Sequence, residues 1–138
     1  MIKKMSLTDI VLVLILAFAV FFFLYKKGLI LANFEKVDPK EAYQMIKKDR
    51  KNIFILDVRT PQEVKTDGKI PNSVLIPLYQ LKDKINQIPK DKKILVYCRS
   101  GNRSITAARI LSSLGYKVYN LNGGINAWKA EGLPIKSK

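Results

Sequence analysis

The chain has 138 residues, with 25 Lys and Arg against 11 Asp and Glu, and a formal net charge of +14. It contains no histidine and one cysteine, Cys98. These counts exclude Cys-His and Ser-His catalysis, an intramolecular disulfide and a Cys/His zinc site. A reactive thiol would have to be activated by its loop, by arginines and by a helix end, and we expect neither metal nor cofactor.

The positive charge suits an anionic membrane surface or small anionic substrates. The lysines are scattered rather than clustered with exposed aromatic residues, and no nucleic-acid-binding motif is visible. The composition therefore disfavours nucleic acid as a partner and indicates that much of the charge is a solvated surface.

The N-terminal segment is the first predicted element. Residues 10–25 carry no charged side chain, and with residues 7–9 they form a run close to the ~20 residues that cross a bilayer. Lysines on both sides are suitable interfacial anchors: Lys3, Lys4, Lys26 and Lys27. We predict a short tail over 1–6, one transmembrane helix over 7–25, which would contact the lipid bilayer, and a linker over 26–33.

A cleaved signal peptide is the alternative, because Ala17-Phe18-Ala19 resembles a small-x-small cleavage site. Cleavage there would leave the apolar residues 20–24 at the mature end, which favours an uncleaved single-pass anchor. More lysines follow the helix than precede it, which favours a cytoplasmic domain. A short basic tail is also typical of anchors that export their C-terminal domain, so the side of the membrane stays open.

Residues 34–138 have the size of one small domain with one core. The patterns predict helices over 39–48, from Thr60, over 78–86, 104–114 and 125–130, and strands over 52–58, 74–76, 93–97 and 117–121. Strands that alternate with helices predict an α/β fold, with a mostly parallel sheet covered on both faces.

The loop around Cys98 carries the strongest functional signal. The cysteine follows an apolar strand and precedes a helix, and ligands of such sheets bind beyond the carboxyl ends of the strands. The helix N-terminus, Arg99 and Arg103 should all favour the thiolate. A lone cysteine is more usually just buried. Here two arginines, a glycine and a serine follow it at once, which makes that interpretation the weaker one.

Four ordered segments resemble a single-domain rhodanese. They are Leu-Asp-Val-Arg-Thr-Pro-Gln-Glu at 56–63, Gly-Lys-Ile-Pro-Asn-Ser-Val-Leu-Ile-Pro-Leu at 68–78, Tyr-Cys-Arg-Ser-Gly-Asn-Arg-Ser at 97–104, and Gly-Gly-Ile-Asn-Ala-Trp at 123–128 with Gly-Leu-Pro at 132–134. The resemblance implies a rhodanese-like central sheet flanked by helices. It also implies a sulfurtransferase, in which the Cys98 thiolate takes sulfur from thiosulfate or a similar anionic donor as a persulfide. The acceptor would be cyanide, a thiol or a protein.

The resemblance also implies roles for further residues. The loop that binds the donor would comprise Arg99, Ser100, Gly101, Asn102, Arg103 and Ser104. Among these, the two arginines would hold the anion, Gly101 would allow close approach, and Ser104 would cap the next helix. Asp57 and Arg59 would form an ion pair that orients the loop, and Tyr97 and Trp128 would pack in the core. Lys69 departs from the pattern, because the family commonly has histidine there.

Two alternatives remain open. Phosphatases of related fold place arginine after five residues, Cys-x5-Arg, whereas Arg103 follows four, so phosphatase or arsenate reductase activity is a minority hypothesis. The other alternative is a membrane-tethered rhodanese module that mainly binds a partner or delivers sulfur to it. Many such modules lack the cysteine, and its presence here ranks catalysis first.

Overall fold

The computed structural model describes residues 4–26 and 34–137. Within it the chain forms two compact units, Met1–Ala32 and Asn33–Lys138. The smaller unit contains helix α1, Leu7–Lys26, which confirms the predicted helix. The predicted anchors Lys3 and Lys27 and most of the predicted linker lie outside the described residues.

Helix α1 begins with a reciprocal cap. The Asp9 N–H donates to the Ser6 hydroxyl at 3.2 Å, and the Ser6 N–H donates to the Asp9 carboxylate at 3.3 Å. Residues 7–25 have a mean hydropathy of 2.8. In the part of the chain that the structure describes, α1 is the one helix whose length and composition suffice to cross a membrane. The same properties also fit a signal sequence.

The larger unit is built on a five-stranded sheet. Its strands are β1 (Glu35–Val37), β2 (Ile53–Asp57), β3 (Val74–Leu75), β4 (Lys93–Tyr97) and β5 (Val118–Leu121). They lie in the order β1-β5-β4-β2-β3, and every neighbouring pair is parallel. The predicted parallel sheet is therefore confirmed, with β4 at its centre.

Helices cover both faces of this sheet. They are α2 (Pro39–Asp49), α3 (Pro61–Asp67), α4 (Asn102–Ser113) and α5 (Gly124–Ala130). Helices α2 and α5 contact each other, and Ala42, Ile125 and Trp128 from these helices pack with Leu95 and Tyr97 in one core cluster. Helix α4 packs on β4 and β5. Because side chains alternate along a strand, Tyr97 and Cys98 point to opposite faces.

Three features differ from the sequence-based predictions. The short edge strand β1 was not predicted. The helix predicted over 78–86 is wrong, because the chain instead makes 3-10 turns at Leu78–Gln80 and Ile85–Gln87. Leu78 and Leu81, and likewise Ile85 and Ile88, lie three residues apart, which suits the three-residue period of a 3-10 helix. Helix α4 begins at Asn102, two residues before the predicted start at 104.

Candidate functional site

Cys98 follows directly after the central strand β4 and is 1% exposed. Its sulfur lies 3.1 Å from the backbone nitrogen of Gly101, which donates to it, and 3.5 Å from the Ser104 hydroxyl. The cysteine is thus the buried centre of a loop that curls back over its own sulfur. A negatively charged sulfur at this position would gain both a backbone donor and the electropositive N-terminus of α4.

Gly101 is the residue that makes the curl possible. It occupies the N-cap position of α4 with φ of +99°, a left-handed conformation that disfavours any residue with a Cβ. The prediction that Ser104 caps this helix is wrong. Ser104 lies inside the first turn, and its hydroxyl donates to the Gly101 carbonyl oxygen at 3.1 Å. That hydroxyl consequently links the cap residue to the thiol.

The start of α5 holds the loop from the other side. The Ile125 N–H donates to the Cys98 carbonyl at 2.9 Å, and the Asn126 N–H donates to the Arg99 carbonyl at 3.1 Å. A Cβ at Gly124, where φ is +59°, would overlap both carbonyl groups. These bonds direct the two carbonyls toward α5 and away from the sulfur, to which the loop presents the Gly101 N–H.

Asp57 and Arg59 form the predicted ion pair, and it is buried. The Arg59 Nη2 donates to Asp57 Oδ2 at 2.7 Å, its Nε donates to Oδ1 at 2.9 Å, and the two side chains are 0% and 1% exposed. Tyr97, which directly precedes the cysteine, donates its hydroxyl to Asp57 Oδ2 at 2.8 Å. Burial, reinforced by the charge of Asp57, raises the pKa of Tyr97 well above its ordinary value, so Tyr97 stays a neutral donor.

The same network fixes the turn over 68–73. Arg59 Nη2 donates to the Gly68 carbonyl at 2.7 Å, and the Ile70 N–H donates to the Tyr97 hydroxyl at 3.2 Å. Tyr97 therefore packs in the core, as predicted, and its hydroxyl also connects the members of a buried polar network. Lys69, the residue that departs from the resemblance, donates from its Nζ to the Ser73 carbonyl at 3.4 Å.

Arg103, predicted to hold the donor anion, binds Glu63 of α3. Its two terminal nitrogens donate to the two carboxylate oxygens of Glu63 at 2.6 and 2.7 Å. Glu63 also accepts from the Thr60 N–H at 3.1 Å and closes the capping box of α3. Hydrogen bonding to Arg103 is the main reason that the pKa of Glu63 falls to about 2.

Sequence reasoning did not assign Glu63 to the site. The Thr-Pro-Gln-Glu pattern signals a helix start, but nothing in it indicates a partner 40 residues away. The remaining predicted loop residues Arg99, Ser100 and Asn102 are exposed. In the described ranges the Arg99 guanidinium has no ion-pair partner, so Arg99 is the cation of this loop that stays available to an incoming anion.

Comparison with known proteins defines the class of this fold and site. The sequence matches the Rhodanese-like domain family over residues 38–131. A rhodanese-related protein of known crystal structure from Thermoplasma volcanium superposes with a TM-score of 0.70 at 36% identity. The match covers 76% of this chain and 100% of that one. The chain belongs to the rhodanese-like domain family.

Several curated relatives are named for sulfur transfer. A protein named sulfurtransferase from Allochromatium vinosum is 42% identical over 101 residues, which cover 72% of this chain and 92% of the relative. The thiosulfate sulfurtransferase GlpE of Coxiella burnetii is 34% identical over 98 residues, which cover 70% of this chain and 89% of the relative. These names support sulfurtransferase activity at the level of the family.

Proposed function

We propose that the protein is a rhodanese-type sulfurtransferase in which Cys98 carries the transferred sulfur. The observation that supports this most directly is the position of the Cys98 sulfur, 3.1 Å from the Gly101 N–H at the head of α4. This arrangement suits a nucleophile that is negative before the reaction and again negative after it. Backbone donors aimed at such a charge stabilise it without reorganising during the reaction.

The first step would form a persulfide. The Cys98 thiolate attacks the outer sulfur of thiosulfate, a sulfur–sulfur bond forms to Cys98, and the original sulfur–sulfur bond of the donor breaks. Sulfite leaves with the electron pair of that bond. The outer sulfur of the persulfide takes the negative charge, and we propose that the loop over 99–104 binds it there, with Arg99 guiding the anion in.

The second step would release the sulfur. Cyanide, a thiol or a protein thiol attacks the outer sulfur, and the bond to Cys98 breaks with its electrons returning to the cysteine. With cyanide the product is thiocyanate, and the thiolate is regenerated. The step needs no second cysteine, in keeping with the one cysteine of the chain.

We propose that the buried pair of Asp57 and Arg59 positions the loop rather than reacting. Its partners are Tyr97, which precedes Cys98, and the carbonyl of Gly68. Both charges are inaccessible to a donor, because the side chains are 1% and 0% exposed.

The chemistry can be tested on the full chain in detergent. Incubation with thiosulfate should add the mass of one sulfur atom to the protein, and cyanide should remove it as thiocyanate. Cys98→Ser is the matched control and should gain nothing. If the wild-type protein gains no sulfur from thiosulfate or from any other sulfane-sulfur donor, the proposal fails, and the partner-binding and oxyanion hypotheses take its place.

We further propose that residues 7–25 anchor the rhodanese domain, residues 34–138, to a membrane, with residues 26–33 as the linker. The support is the length and the mean hydropathy of 2.8 of this segment. The full chain with a C-terminal tag should sediment with membranes and resist extraction by carbonate. A shortened product that begins after Ala19 would instead identify a cleaved signal peptide.

A further inference from the structure

The Arg103–Glu63 pair changes the charge that the loop offers to a donor. Both terminal nitrogens of Arg103 donate to the Glu63 carboxylate, which also accepts from the Thr60 N–H. Arg103 lies in the first turn of α4, whose N-cap residue Gly101 donates its N–H to the Cys98 sulfur. Arg103 is therefore close to the reacting sulfur, but its own charge is largely compensated by Glu63.

This compensation matters because donors differ in charge. Coulomb attraction scales with the product of the charges, so a site with one net cation favours a doubly charged donor less than a site with two. The loop contains two arginines, Arg99 and Arg103. Of the loop cations that the structure describes, only Arg99 has no carboxylate partner.

We propose that Glu63 is a specificity-determining residue that acts through Arg103, and that it adapts the site to singly charged sulfane-sulfur donors at the expense of the dianion thiosulfate. This inference rests on the proposed sulfurtransferase function and adds the donor class to it. Glu63 does not touch the donor, so it is a positioning residue and not a catalytic one.

Two donors with the same reacting sulfur separate charge from chemistry. Thiosulfate carries two negative charges, and methanethiosulfonate carries one because a methyl group replaces a charged oxygen. In both, the Cys98 thiolate attacks the outer sulfur and the donor's sulfur–sulfur bond breaks. The leaving groups are sulfite and methanesulfinate, each with the bonding electron pair. The informative quantity is the ratio of kcat/KM for thiosulfate to kcat/KM for methanethiosulfonate, with cyanide as acceptor.

Glu63→Gln removes the compensating charge while it keeps the helix cap, since Gln can also close a capping box. In the full chain in detergent at low ionic strength, this variant should raise the ratio about 3- to 10-fold, as expected for one additional charge near the protein surface. The rise should shrink in high salt. A purely structural role for Glu63 would lower both kcat/KM values together and leave the ratio unchanged.

Two further variants test whether the effect passes through Arg103. Arg103→Gln keeps the Thr60–Glu63 cap and should lower the ratio, because it leaves Glu63 uncompensated. The double variant E63Q/R103Q should return the ratio to near the wild-type value. Glu131→Gln is the matched control, since this acid is exposed, pairs with Lys40 and lies outside the site, and it should leave the ratio unchanged.

An unchanged or lowered ratio in Glu63→Gln would overturn the proposal. So would a double variant that retains the raised ratio, because Glu63 would then act without Arg103. If Glu63→Gln does not fold, Arg103→Gln decides, and an unchanged ratio in that variant overturns the proposal. Failure of the proposed function looks different, because the wild-type protein would then transfer sulfur from neither donor.

Discussion

The site contains two arginine–carboxylate pairs, each joined by two short N–H···O bonds, in very different surroundings. Asp57 and Arg59 are 1% and 0% exposed, whereas Glu63 and Arg103 are 21% and 37% exposed. The first pair joins the end of β2 to Tyr97 and to the turn over 68–73. The second joins the first turns of α3 and α4 near the rim of the loop.

Because the two pairs differ in burial, we expect them to have different roles. Breaking a buried pair leaves an uncompensated charge in the core, which costs far more than breaking a pair that water can solvate. The Asp57–Arg59 pair should therefore matter mainly for stability and loop position. The Glu63–Arg103 pair should matter mainly for the charge that a donor meets.

The largest expected effect is that of Asp57→Asn. This variant leaves Arg59 charged, buried and without its carboxylate, and we expect the free energy of unfolding to fall by about 3–5 kcal/mol. Urea unfolding of the full chain in detergent, followed by far-UV circular dichroism, measures it. Asp49→Asn, in a pair with Lys93 whose side chains are 40% and 42% exposed, is the control and should cost less than about 1 kcal/mol. Equal losses in the two variants would contradict the comparison.

Tyr97→Phe should have the next largest effect. It removes the hydroxyl that donates to Asp57 and accepts from the Ile70 N–H, and leaves buried polar groups unpaired. We expect a loss of about 1–3 kcal/mol in the free energy of unfolding. Tyr119→Phe is the matched control, because in the described residues the Tyr119 hydroxyl makes no hydrogen bond. If Tyr97→Phe is as stable as this control, the network does not support the turn.

The smallest expected effect concerns the pH dependence of stability, to which the partly exposed Glu63–Arg103 pair contributes. The pKa of Glu63 is about 2, below its ordinary value of 4.5, so the pair contributes stability above pH 4.5 that is lost as pH falls toward 2. At pH 6 the free energy of unfolding of the wild-type protein should exceed that of Glu63→Gln by about 1 kcal/mol. This difference should narrow below pH 4.5 in urea titrations. A difference that stays constant down to pH 3 would mean that the charge of Glu63 does not stabilise the fold.

Much of the fold could be predicted from local patterns. Apolar runs predicted four of the five strands, β2 to β5, to within one residue at each end, and the Asp-Pro and Thr-Pro pairs marked the starts of α2 and α3. Strand β1 escaped prediction because it is a three-residue edge strand, of which only Val37 is buried. The 3-10 turns within 78–87 escaped because apolar residues three or four apart also fit an α-helix.

The local features of the site could be predicted from the sequence, but the contacts between distant segments could not. The position of Cys98 at a strand end and the Asp57–Arg59 pair are local features, and both are present. The pairing of Arg103 with Glu63 depends on how α3 packs beside α4, which no local pattern specifies. The error at Ser104 is local instead, because the left-handed Gly101, three residues earlier, and not the serine, begins the helix.

The hydrogen bonds between the start of α5 and the loop affect how the sequence of this site can evolve. The Gly101 N–H, which donates to the sulfur, belongs to the main chain, and the carbonyls of Cys98 and Arg99 accept from the N–H groups of Ile125 and Asn126. Main-chain groups persist through substitution of their own side chains. The exposed positions Arg99, Ser100 and Asn102 can therefore vary in sequence while the cradle around the thiol stays intact. New donor preferences become accessible by single substitutions at the rim, without a new fold and without loss of the reacting group.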